Sequence, residues 1–133
     1  MQKKTLLFGA SYFLLATAIL NYLAISLYLY WTVWWFDILV HILGGISATL
    51  FISWLLLSFF HKDGLRGEST LFFLTLLGVF SLGVIWEIFE YSSGITFASA
   101  NYKIGTMKDL SMNLVGGFFA CTYLHFWFLP KRV

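Results

Sequence analysis

The segment that decides the class of this protein is Ile42–Phe60, ILGGISATLFISWLLLSFF, which contains no charged residue. An apolar helix of roughly 20 residues is long enough to cross the hydrocarbon core of a bilayer. Three other segments meet the same requirement, and because lipid offers a backbone amide no hydrogen-bond partner, each is predicted to be a helix. The four predicted transmembrane helices cover residues 6–30, 37–60, 70–91 and 108–129.

The composition of the whole chain indicates the same class. Of its 133 residues, 60% are hydrophobic and only 11% are charged, about half the charged fraction of an ordinary soluble domain. So little polar surface could not cover the apolar residues of a soluble domain, and the net charge of +2 is too small to indicate nucleic-acid binding. We therefore predict an all-α, polytopic membrane protein in which residues 1–133 form a single domain, a four-transmembrane-helix bundle.

The basic residues predict how the helices are oriented. Six of the eight lie on one side of the predicted spans, and an excess of basic residues marks the cytoplasmic side. Both termini and the loop 61–69 are therefore predicted to be cytoplasmic in a multi-pass protein of the cell membrane. The segments 31–36 and 92–107 would face outward, and the second is long enough to form a lid or a binding surface. The six residues are Lys3, Lys4, Lys62, Arg66, Lys131 and Arg132, and the other two are Lys103 and Lys108.

Four of the six acidic residues lie at the outward ends of the predicted spans. At a similar depth their carboxylates would repel one another, so either some are protonated or a cation lies among them. Lys108 directly precedes Asp109 and projects roughly 100° away around the helix, so we do not expect it to neutralise this group. The four residues are Asp37 at the start of the second span, Glu87 and Glu90 at the end of the third, and Asp109 at the start of the fourth.

Two of these stretches repeat one pattern of residues. Asp37–Gly45 (DILVHILGG) and Asp109–Gly117 (DLSMNLVGG) share the spacing Asp-x3-His/Asn-x2-Gly-Gly. His41 and Asn113 each lie four residues after the aspartate, on the same face of the helix. The paired glycines would let neighbouring helices approach closely. The match suggests two related helical hairpins.

Simpler explanations exist for some of these residues taken singly. Asp37 could be an N-cap, and Thr106–Asp109 (TMKD) has the form of a capping box. His41 could be a hydrogen-bonded packing residue. Capping does not explain Glu87 and Glu90, because they lie at a helix C-terminus, where the helix dipole disfavours negative charge. Ionisable residues inside membrane spans indicate a functional site.

The same residues resemble a known family. The motifs DxxxH at 37–41, WExxE at 86–90 and DxxxNxxG at 109–116 are similar, in this order, to those of the VanZ-like small membrane proteins, and most of all to YjdF-type bacterial inner-membrane proteins. The resemblance covers residues 36–118 and implies a bacterial cell-envelope protein of four or five spans, without supplying a reaction. VanZ-like proteins typically have Glu-x2-Gln where this chain has a second glutamate, Glu90.

Two functions fit this sequence. One is a metal-dependent membrane hydrolase that acts on a lipid or lipid-linked envelope substrate, in which a water activated by Mn, Fe, Zn or Mg is the nucleophile. The other is a non-catalytic membrane protein that binds envelope precursors or conducts ions or protons, although the apolar residues that follow His41 and Asn113 disfavour a channel. In the hydrolase the metal ligands would be Asp37, His41, Glu87 and Asp109. Glu90 would be the catalytic base or a fifth ligand, and Asn113 would orient the ligands.

Overall fold

The computed structural model describes residues 2–59, 68–94 and 102–128, and within these ranges every regular element is a helix. The all-α prediction is therefore confirmed for this part of the chain. Four long helices carry the fold, and the remaining elements are single turns. The elements are, in chain order, α1 (Gln2–Ser26), α2 (Leu29–Thr32), α3 (Phe36–Phe59), α4 (Glu68–Ser93) and α5 (Tyr102–Tyr123), which a π-helical turn, Leu124–Phe128, continues.

Three of the long helices have the length and the hydropathy needed to cross a membrane. They are Lys3–Ser26, Phe36–Phe59 and Ser69–Ser93. Helix α5 is not among them, because its first half is polar and carries Lys103, Lys108 and Asp109. The predicted count of four spans is therefore not confirmed. The large side chains exposed on the outside of the bundle suit a lipid environment, and they include Phe8, Leu14, Phe73, Ile85 and Phe119.

The first predicted span is longer than the helix that forms. The sequence predicts a helix up to Tyr30, but α1 ends at Ser26. The chain turns at Tyr28, whose backbone is in the left-handed region with φ 56° and ψ 29°, a conformation that an α-helix cannot continue through. The short helix α2 follows this turn and connects α1 to α3.

The fourth helix begins earlier than predicted. Helix α5 starts at Tyr102 rather than near residue 108, so part of the predicted loop 92–107 is helical. The capping-box interpretation of Thr106–Asp109 is wrong, because these residues lie inside α5, where backbone amides already have helical partners. Residues 95–101 of that loop lie outside the described residues, as do residues 61–67 of the predicted cytoplasmic loop and the two basic residues at 131 and 132.

Helix α3 is the centre of the bundle and packs against α1, α4 and α5. It runs antiparallel to α1, where the Ser47 hydroxyl donates a hydrogen bond of 3.0 Å to the carbonyl oxygen of Ala10. Helices α4 and α5 are also antiparallel, and the rings of Phe72 and Phe118 meet edge to face at 5.9 Å. One end of the bundle therefore collects the ends of α1 and α4 and the starts of α3 and α5. We call it the site end.

The parallel helices α3 and α5 touch through their glycines. A Cβ atom on Gly45 would lie 2.0 Å from the carbonyl oxygen of Asn113, and one on Gly116 would lie 2.1 Å from that of Ile42. Only glycine allows two backbones to approach this closely. The prediction of close helix packing at the repeated glycines is therefore confirmed, and the contact lies about one helical turn below the predicted polar residues.

Candidate functional site

Three side chains from α3 and α5 meet at the site end. The Nε2 atom of His41 lies 3.3 Å from Oδ1 of Asp37 and 3.7 Å from Oδ1 of Asp109. Asp37 and His41 share one face of α3, because they are one turn apart, and the glycine contact brings Asp109 of α5 to the same level. Each of the three residues can offer one ligand atom, and these atoms all lie within 4.8 Å of one another.

Lys108 belongs to this cluster, contrary to the sequence-based expectation. Its Nζ atom lies 2.6 Å from Oδ2 of Asp37 and 3.5 Å from Oδ1 of Asp109. The expectation that Lys108 cannot neutralise the acidic group is wrong, because the long lysine side chain reaches from its own face of α5 across to α3. The cluster therefore holds two carboxylates, one ammonium group and one imidazole.

Glu87 is buried beside the cluster without a full set of partners. It is 5% exposed, and its Oε1 atom has no hydrogen-bond partner among the described residues. Gly83, one turn earlier in α4, faces α5, since a Cβ there would lie 3.2 Å from Nδ2 of Asn113. Glu87 is thus turned towards α5, and its charge interacts with that of Asp109. The Oδ1 atom of Asp109 also accepts no hydrogen bond from the described residues.

The structure places the other two predicted site residues near the cluster but not in it. Glu90 is half-buried and interacts electrostatically with His41 and Asp109. Among the described residues, neither Glu87 nor Glu90 joins the group of three whose ligand atoms converge. Asn113 is buried between α3 and α4, and its Oδ1 atom would lie 3.5 Å from a Cβ on Gly44. The metal-binding, catalytic and orienting roles of these residues remain predictions.

Tyr30 is a site neighbour that the sequence analysis missed. Its hydroxyl donates a hydrogen bond to Oδ1 of Asn21 in α1. Burial raises the pKa of Tyr30 above its usual value, and the charges of Asp37, Glu90 and Asp109 raise it further. The phenol therefore stays protonated and keeps donating its one hydrogen bond to Asn21, next to the cluster. In the sequence it is indistinguishable from the tyrosines and tryptophans that mark a membrane interface.

Comparisons with known proteins identify the family. A family model described as "Predicted membrane protein (DUF2238)" matches residues 2–129. The chain belongs to this family. The match covers every helix that the structure describes in this DUF2238 protein and confirms the membrane class, whereas it does not confirm the predicted VanZ-like affiliation. A search of curated proteins and a search of solved structures each give no match.

Proposed function

We propose that this DUF2238 protein binds a divalent metal ion at its site end and uses it to hydrolyse a lipid or lipid-linked envelope substrate. The observation that supports this most directly is the convergence of Asp37, His41 and Asp109, whose possible ligand atoms lie within 4.8 Å of one another. Two carboxylates and one imidazole are a ligand set suited to Mn, Fe, Zn or Mg. Three protein ligands leave coordination positions open for a water molecule.

The buried carboxylate of Glu87 supports the same proposal. An ionisable residue inside a membrane protein is expensive to bury and is retained where it has a partner or a function. Glu87 interacts repulsively with Asp109, and Oε1 of Glu87 has no hydrogen-bond partner among the residues described. A cation bound between α3 and α5 would reduce that repulsion.

The surroundings of the cluster support a substrate that lies in the membrane. Trp31, Trp34 and Trp35 are exposed next to the start of α3, and such aromatic groups favour the headgroup level of a bilayer. A substrate headgroup would therefore approach the cluster at the membrane surface. Glu90, close to His41 and Asp109, would accept the proton of the attacking water, and Asn113 would orient the ligands from below.

The predicted orientation completes the proposal. Four spans with both termini cytoplasmic would place the site end at the outer leaflet of the cell membrane, and the VanZ-like resemblance implies a cell-envelope protein of four or five spans. The six-to-two distribution of basic residues supports this orientation. The packing of α5 against α3 and α4 supports a fourth span, because both partners are apolar enough to cross a bilayer.

One observation favours a second, non-catalytic function. Lys108 already supplies a positive charge to Asp37 at 2.6 Å, so the cluster is partly neutralised by the chain itself. A protein that binds an envelope precursor, or that moves protons, could use the same group of residues without a metal ion.

Metal binding distinguishes the two functions. Purified protein in detergent should carry about one equivalent of metal, and Mn²⁺ or Zn²⁺ at 100 times its Kd should stabilise the fold by about 2.7 kcal/mol relative to chelator. Asp109→Asn and Glu87→Gln should reduce this gain, whereas Ser111→Ala, at an exposed position of α5, should keep it. If the wild type melts identically in chelator and in each metal and contains no metal, the metal-dependent hydrolase is excluded. If metal binds but no lipid is hydrolysed, the protein is a binder.

A further inference from the structure

We propose that Lys108 is a tethered cation that occupies the carboxylates of the site until a metal ion displaces it. This inference rests on the proposed metal site and concerns how access to that site is controlled. The Nζ atom of Lys108 contacts Oδ2 of Asp37 at 2.6 Å and Oδ1 of Asp109 at 3.5 Å. These two carboxylates are also two of the three possible metal ligands.

The ammonium group and a metal ion cannot both use these carboxylates. A divalent ion would lie roughly 2.0–2.2 Å from the oxygens that coordinate it. It would therefore sit within a few ångströms of an ammonium group that touches the same two side chains. Two cations at that separation repel strongly in a partly buried site, where solvent screens them poorly. Binding of the metal ion thus requires Lys108 to leave.

The Lys108 side chain can leave the carboxylates by moving towards the protein surface. Its side chain is 40% exposed, compared with 26% for Asp37, 14% for Asp109 and 7% for His41. It is the most exposed member of the cluster, and its flexible four-carbon stem can swing towards the surface without movement of the backbone. The three ligand side chains can stay in place, so the exchange needs one rotamer change and no rearrangement of the helices.

Removal of the ammonium group should strengthen metal binding. Lys108→Met keeps most of the apolar stem and removes the charge, so the Kd for Mn²⁺ should fall by on the order of tenfold or more. Lys103→Met is the matched control, because Lys103 lies on the same helix, is exposed and forms no ion pair with the described residues. Its Kd should stay within about twofold of the wild-type value, as expected for an exposed charge that solvent screens.

A second measurement separates displacement from simple electrostatic repulsion. Acylation of the wild type with an amine-reactive ester, followed by peptide mass spectrometry, gives the reactivity of Lys108 relative to Lys103. Saturating Mn²⁺ should raise this ratio several-fold over chelator, because a displaced ammonium group is no longer shielded by Asp37 and Asp109. An unchanged ratio would mean that Lys108 stays on the carboxylates, and displacement would be overturned.

The outcomes separate this inference from the proposed function. If Lys108→Met and the wild type bind Mn²⁺ with equal affinity, the tethered cation is overturned and the metal site stands. If neither protein binds a divalent metal, both are overturned. Binding by Lys108→Met alone would overturn both, because the wild type would then bind no metal ion and no metal would displace its lysine.

Discussion

Alanine at Gly45 tests the helix contact on which the cluster depends. The added Cβ atom would lie 2.0 Å from the carbonyl oxygen of Asn113, and atoms of this kind do not approach closer than 3.0 Å, so α3 and α5 must separate by at least 1 Å at this level. The atom that it meets belongs to the backbone and cannot rotate away. Overpacking of this kind typically costs about 1–3 kcal/mol.

Gly44→Ala is the matched control for this substitution. The two glycines are neighbours in α3, and alanine gains about 1 kcal/mol over glycine in either helical position. A Cβ on Gly44 would lie 3.5 Å from Oδ1 of Asn113, an ordinary contact. The difference between the two variants therefore isolates the cost of forcing the backbones apart.

Thermal unfolding in detergent measures this difference. Gly45→Ala should melt several degrees below Gly44→Ala, because roughly 1 kcal/mol corresponds to a few degrees in a chain of this size. The separation should also increase the distance of 3.7 Å between His41 and Asp109, which weakens any metal site that they share. If the two variants melt within one degree of each other, α3 and α5 do not touch at Gly45 and the cluster is assembled differently.

Two further predictions test the topology and a hydrogen bond at the site end. Reporter fusions at residues 62 and 100 should report cytoplasm and exterior respectively, because basic residues favour the cytoplasmic side, and the opposite result would place the cluster in the inner leaflet. Tyr30→Phe removes the donor to Asn21 and should cost about 0.5–1.5 kcal/mol, measured as a lower melting temperature. Tyr22→Phe, at an exposed position of α1, should melt like the wild type, and equal melting of both variants would contradict a stabilising role for the Tyr30 hydrogen bond.

The sequence predicted the features that depend on local patterns. Uncharged runs of Leu, Phe and Ile identify membrane helices, because hydropathy is a property of each segment alone. The spacing of four residues between Asp37 and His41 fixes a shared helix face. The repeated glycine pairs indicated where helices would approach each other. These patterns were sufficient to place Asp37, His41 and Asp109 at one end of the bundle.

Other features depend on how distant segments meet and were not predictable. Lys108 pairs with Asp37 only because α3 and α5 are parallel neighbours at a close distance. This pairing joins residues far apart in the chain, so no local sequence pattern indicates it. The predicted start of α5, at residue 108, lies after the observed start at Tyr102. The reason is that TMKD has the composition of a capping box whether it caps a helix or lies inside one. Tyrosine is not a residue type typical of turns, so the sequence does not indicate the left-handed backbone at Tyr28.

The pairing of α3 with α5 also has a consequence for how the protein is made. The chain runs through the whole of α4 between these two helices, so α3 is synthesised and delivered to the membrane before its partner. Helix α5 is too polar to rank with the three apolar helices. As the proposed fourth span it would carry Lys108 and Asp109 towards its outward end, where a charge costs less than the about 2.5–3.5 kcal/mol that applies at the centre of an inserting helix. The ion pair between Lys108 and Asp37 offsets part of such a cost. In the proposed four-span arrangement, insertion of α5 would thereby be coupled to a helix already in the bilayer, and the cluster would be complete when α3 and α5 dock.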